Sequence, residues 1–216
     1  MMMVHNANGL SCKGIPQSLR HVARLAIVIV LSAAPSVIPT AVVAHDAFGD
    51  LGPFYGSMLH PLADPLQAAV LVGTAAFLAG RSLSVVRRAV PVFVLVACIA
   101  SVAAFSGKIS APTPLLAGLA ALLAGLAATL PETWTPRSLT YALVATTGVL
   151  VGLAPGTADD GLRLQPLIGS FFGISVLVTL LWFAFEAAAR RIAFLAPKVV
   201  GAWVAAVGIL VAAFSL

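Results

Sequence analysis

A chain of 216 residues that is 61% hydrophobic and 9% charged cannot cover the surface of a soluble fold of its size, since soluble domains carry about 25% charged residues. Lipid must be the solvent for much of it. The formal charge of +5 does not point to nucleic acid, because the basic residues stand singly or in pairs between apolar runs and form no polar face. Those runs are continuous and do not alternate with polar residues, which excludes a membrane barrel and leaves helices.

In chain order, residues 1–24 are polar and carry Lys13, Arg20 and Arg24 without an acid. A short apolar stretch (25–31) follows, then a segment broken by Pro35 and Pro39, then Val42 and Ala44 with small side chains. This is the basic, apolar, small-residue order of an export signal. Cleavage after Ala44 makes 1–44 a signal peptide and His45 the first mature residue. The competing reading is an uncleaved helix over 25–43, which Pro35 and Pro39 disfavour. Cys12 falls in the signal, and Cys98 stands alone in an apolar run, where it reads as a small apolar residue.

Residues 45–64 read as a periplasmic segment too polar and too rich in glycine to span. Gly49, Gly52, Pro53 and Gly56 suit a loop that folds back, and Phe48, Phe54 and Tyr55 suit interfacial anchors. Six apolar runs follow, at 65–80, 89–105, 113–130, 139–154, 166–188 and 199–216. The spacing predicts an all-α membrane protein with a six-helix transmembrane domain over 65–216. Pro65, Pro91, Pro114, Pro131, Pro155, Pro166 and Pro197 mark span ends, because a first-turn proline loses no helical hydrogen bond.

An exported His45 puts the connections after spans one, three and five in the cytoplasm. Those hold Arg81, Arg87, Arg88, Arg137, Arg190, Arg191 and Lys198, whereas the other connections hold only Lys108 and Arg163. The bias obeys the positive-inside rule and predicts a bacterial inner-membrane protein with both mature termini in the periplasm. Gly148/Gly152 and Gly169/Gly173 form GxxxG motifs, and Gly118/Gly125 and Gly201/Gly208 lie seven apart on one helix face. Such faces predict close helix packing, within the chain or between copies. The stretches 71–80 and 116–125 match at seven of ten positions, which in so biased a composition is the expectation of chance; a duplicated helix pair is the sharper reading.

Groups able to do chemistry are few. The chain has no Gly-rich phosphate loop, no CxxC, no HExxH and no nucleophile elbow, so an enzyme is not expected. After the signal, histidine occurs only at His45 and His60, both in one segment that also holds Asp46, Asp50 and Asp64. His45, Asp46, His60 and Asp64 are the candidate metal ligands. A free N-terminal histidine chelates through its amine and imidazole together, and metal can displace the amine proton near neutral pH. Nitrogen with carboxylate suits nickel, copper or zinc. Plainer roles compete: Asp64 before Pro65 has the form of a helix N-cap, His60 of an interfacial loop residue, and Asp46 and Asp50 of solvated loop acids. Glu186, within a span, precedes Arg190 by four residues and suits an ion pair. Asp159 and Asp160 suit a solvated turn.

With the Ala44-His45 start and His60-Pro61-Leu62 opening the first span, the chain resembles the HupE/UreJ family. Its members are signal-bearing six-span proteins tied to hydrogenase and urease maturation. The family motif HPxxGxDH falls on His60-Pro61-Leu62-Ala63-Asp64-Pro65-Leu66-Gln67. His60 and Pro61 match, Asp64 replaces the glycine, and Leu66-Gln67 replace the closing Asp-His. The family's later histidine-bearing motif has no histidine here, at Ala124 to Glu132. The resemblance implies a nickel-type permease or metal-capturing accessory protein, with a metal ion, the bilayer and metalloenzyme maturation proteins as partners. The alternative is a membrane scaffold that binds a partner complex without transport.

Overall fold

The computed structural model describes residues 51–107, 109–154, 164–191 and 195–216. The signal 1–44, His45, Asp46, Phe48, Asp50, Lys108, Pro155, Asp159, Asp160 and Arg163 lie outside the described residues. The chain divides into two compact units at Val42/Val43, and all described residues belong to the second.

The described residues form seven α-helices and no strand. They are α1 (Gly52–Ala63), α2 (Pro65–Ala79), α3 (Leu83–Phe105), α4 (Pro114–Thr129), α5 (Arg137–Leu153), α6 (Leu164–Arg191) and α7 (Leu195–Phe214), with a 3-10 turn at Glu132–Trp134. Helices α3, α6 and α7 are long and apolar enough to cross a membrane, and α1 with α2 passes as a fourth, broken span bent by 71°. Helices α4 and α5 are apolar but shorter.

Two expectations change here. Residues 52–63 are not a loop that folds back. Gly52, at φ +78°, opens the helix, and Pro53 starts it, because a first-turn proline is already shaped for helix. What turns the chain is Asp64. Pro65 disfavours the helical conformation at the residue before it, and Asp64 is extended at φ −89°, ψ 107°. The second change is at α3. It begins at Leu83, so Pro91 lies inside it and does not start it. The basic Arg87 and Arg88 face outward while Val85, Val86 and Ala89 are buried, so the apolar face continues past the charges.

Helix α2 is the centre. Every residue from Gly73 to Ala79 is buried, which requires neighbours on all sides; α1, α4, α5, α6 and α7 all pack against it. Around it the glycine motifs join three further pairs. In the α4–α7 pair, a Cβ added at Gly125 would lie 2.5 Å from the Ala205 amide nitrogen and the Gly201 carbonyl oxygen, and Gly118 opposes Gly208 in the same way. Gly148 and Gly152 admit the α3 backbone at Phe93 and Ala97, and Gly169 and Gly173 admit α1 at Phe54 and Met58. Small residues let backbones approach and gain dispersion contacts. These glycine faces are therefore buried inside the chain, not displayed for contact between copies. The two similar stretches sit in unlike settings: Leu71 is buried, whereas Leu116 is half exposed.

Outward faces of the long helices carry Leu95, Ile99, Leu180, Phe183, Trp203 and Leu210. An apolar exterior over a core of small residues suits lipid as the surrounding solvent.

Candidate functional site

The break between α1 and α2 gathers the polar groups at one end of the bundle. Asp64 caps α2: its Oδ1 accepts from the Leu66 amide at 2.9 Å and the Gln67 amide at 3.3 Å. The capping reading of Asp64 therefore holds. The cap engages one carboxylate oxygen, and no other described group bonds the second. His60 lies one turn earlier, half-buried in the last turn of α1, and its carbonyl accepts the Asp64 amide at 3.0 Å. Of the four candidate ligands, His60 and Asp64 are thus placed at one helix break. Among the described residues no group of three His, Cys, Asp or Glu side chains could hold a metal ion.

Gln67 is the residue whose role the sequence left unassigned. It is 3% exposed and the only amide side chain among the buried described residues. Its Nε2 donates to the Val151 carbonyl at 2.7 Å. Its Oε1 is buried with no hydrogen-bond partner among the described residues. The available signal was an amide three residues after a capping aspartate, in an otherwise apolar run. Asp64 and Gln67 line a cavity of about 240 Å³ with Val70, Pro112, Leu150 and Val151. The starts of α2 and α4 and the end of α5 meet there, so this is one end of the bundle.

At the opposite end Arg81 is 7% exposed. Its Nη1 donates to Thr135 Oγ1, and its Nη2 to the carbonyls of Ala127 at 3.1 Å and Leu130 at 3.2 Å. The guanidinium lies 4.2 Å from the centre of the Phe77 ring. Beside it, Glu132 accepts from the Ser82 amide at 3.1 Å and hydroxyl at 2.8 Å. Burial pushes the Arg81 guanidinium below its ordinary range, and Glu132 opposes that shift; arginine keeps its proton regardless. Counted in the sequence only as a topology signal, Arg81 caps the C-terminus of α4 and ties the α2–α3 turn to the α4–α5 turn. Favourable charge at a helix C-terminus and a cation over an aromatic face both act there.

Glu186 pairs with Arg190 at 3.1 Å, with Arg190 largely exposed, as the spacing predicted. Cys98 is a free thiol. Phe54 packs on Phe172 and Tyr55, and Tyr55 is exposed. Comparison with family models, curated proteins and solved structures gives no match.

Proposed function

We propose that this is a six-span bacterial inner-membrane protein that captures a divalent transition metal at its periplasmic face, as the HupE/UreJ resemblance implies, and that it does so without catalysis. His45, Asp46, His60 and Asp64 are the ligands. The observation that supports this reading is the nearness of His60 and Asp64 in the chain at the α1–α2 break, where the His60 carbonyl accepts the Asp64 amide and the cap engages one Asp64 oxygen. Imidazole and carboxylate are borderline ligands that suit nickel, copper or zinc.

The helical course of α1 sets the reach that His45 needs. His60 stands eight residues beyond Gly52, about 12 Å at ~1.5 Å per residue. A seven-residue stretch is at most about 20 Å long when extended, which exceeds that rise, so chain length is compatible with the proposal. Signal cleavage then matters chemically, because only a free amine completes a chelate with its own imidazole.

Metal titration of the purified mature protein tests this. Tight binding in the parent should weaken at least tenfold, about 1.4 kcal/mol, in His60→Ala and in a variant with one extra residue before His45. Equal affinity across the three, or no binding in the parent, refutes it.

One observation favours the scaffold alternative. The buried hydroxyls of Thr74, Thr140 and Thr147 bond carbonyls of their own or the adjoining turn, so they supply no evident polar path across the bundle. Cellular metal accumulation with and without the protein separates the two: a difference supports metal handling by the chain, and no difference leaves the scaffold reading ahead.

A further inference from the structure

On α3 the exposed residues Arg88, Pro91, Leu95, Ile99 and Val102 recur every three or four positions, a spacing that sets them on one helix face. Most of this stripe is apolar and suits lipid. Its first member is Arg88, with exposed Arg87 beside it. Among the described residues neither guanidinium has an ion pair or a hydrogen-bond partner. The described carboxylates at this end are engaged elsewhere: Glu132 accepts from Ser82, and Glu186 pairs with Arg190.

Their depth is what makes the two arginines unusual. Helices α3 and α5 run parallel, because Gly148 meets the Phe93 backbone and Gly152 meets the Ala97 backbone, four residues on along each helix. Carried back along both helices, that register sets Arg87 level with Ala142 and Arg88 level with Leu143. These levels are five residues, roughly 8 Å, further into the bundle than Arg137 at the start of α5. Trp134, 73% exposed just before that start, suits the headgroup layer. On α5 the outward apolar stripe has already begun by the arginine level, with exposed Leu139 and Ala142. A cation at such depth is costly until headgroups and water are drawn in to it. Pro91 adds a second polar group at the same place. It lies inside α3 and has no N–H for the Arg87 carbonyl, so that carbonyl must be met from outside the helix. Guanidinium binds phosphate oxygens bidentately, and anionic lipid is the anion that a membrane surface supplies.

We infer that Arg87 and Arg88 form a binding site for an anionic phospholipid of the leaflet at the Arg81 end. Its phosphate lies on the two guanidiniums, its headgroup within reach of the Arg87 carbonyl, and its acyl chains along Pro91, Leu95 and Ile99. This rests on α3 and α5 crossing the bilayer and not on metal capture, with which it shares no residue.

The test is native mass spectrometry of the full chain released from detergent. Phosphatidylglycerol and, separately, phosphatidylcholine with the same acyl chains are titrated in, and the apparent Kd of the first lipid adduct is read. The parent should hold phosphatidylglycerol about fivefold or more tighter than phosphatidylcholine, since each basic residue near an anionic surface contributes about 1 kcal/mol. The double variant Arg87→Gln/Arg88→Gln should lose that preference. Arg190→Gln/Arg191→Gln, which removes the same charge from the same end, should keep it. Glycerol phosphate in excess should not displace the adduct, because a free headgroup lacks the acyl chains. Thermal unfolding in detergent checks that each variant is folded. Equal affinity of the parent for the two lipids would overturn the inference. So would equal loss in both double variants, which would mean bulk charge and no site, or displacement by glycerol phosphate, which would mean a soluble-anion site.

Discussion

At Arg81 a single side chain joins three segments. Its guanidinium bonds Ala127 and Leu130 at the end of α4 and Thr135 beyond the 3-10 turn, from a position just after α2. Arg81→Met would keep an unbranched apolar side chain at this buried position while leaving these acceptors without their donor and the Phe77 ring without its cation. An unsatisfied buried acceptor costs about 1–3 kcal/mol, so denaturant unfolding in detergent should show a loss of that size; an unchanged midpoint would mean the acceptors find other donors. Glu186→Gln should behave differently. Its partner Arg190 is largely exposed, and exposed helix pairs contribute about 0.3–0.5 kcal/mol. Stability and activity should both survive, and a near-complete loss of activity at normal protein level would make Glu186 a proton or cation site. The Glu186–Arg190 pair and the Asp64 cap were legible in the sequence because both are local, within four residues. The Arg81 contacts and the Gln67–Val151 bond were not, because their partners lie 46 to 84 residues away.

Among the helices, glycine spacing was the most informative signal. Gly118/Gly125 and Gly201/Gly208 share one antiparallel seam, and a Cβ at Gly125 would press on backbone atoms of Ala205 and Gly201. Backbone cannot yield as a flexible side chain can, so Gly125→Ala must force α4 and α7 apart. Overpacking of this kind costs about 1–3 kcal/mol. Gly80→Ala is the control: its added Cβ would meet nothing closer than the Phe77 carbonyl at 3.5 Å, an ordinary contact. Unfolding should show destabilisation in Gly125→Ala only; no loss there would mean that the seam yields to the added methyl, since helix propensity alone favours alanine over glycine by about 1 kcal/mol. Helix α1 escaped the sequence reading for the complementary reason. Its Gly and Pro residues locally resemble a loop, and the contacts that hold it, Phe54 and Met58 against Gly169 and Gly173, are long-range. Pro91 misled in the same way, since proline marks a helix start only if no helix already runs through it.

For the whole molecule, the apolar runs predicted the order of α2 to α7 well, because lipid exposure leaves continuous hydrophobic sequence. The arrangement around α2 was beyond reach, since neither composition nor periodicity says which helix has no outer face. The proposed orientation places the Arg81 end in the cytoplasm and the α1–α2 break and Leu216 in the periplasm. A reporter active only in the cytoplasm, fused after Leu216, should stay silent; a bright signal would mean that α4, α5 or the α1–α2 pair does not cross. The central claim, that the break captures a transition metal, is tested most directly by X-ray absorption on nickel-loaded mature protein. The account predicts a shell of nitrogen and oxygen with imidazole scattering from two histidines, His45 and His60, falling to one in His60→Ala. A shell of oxygen alone, sulfur from Cys98, or a spectrum unchanged by His60→Ala would contradict it.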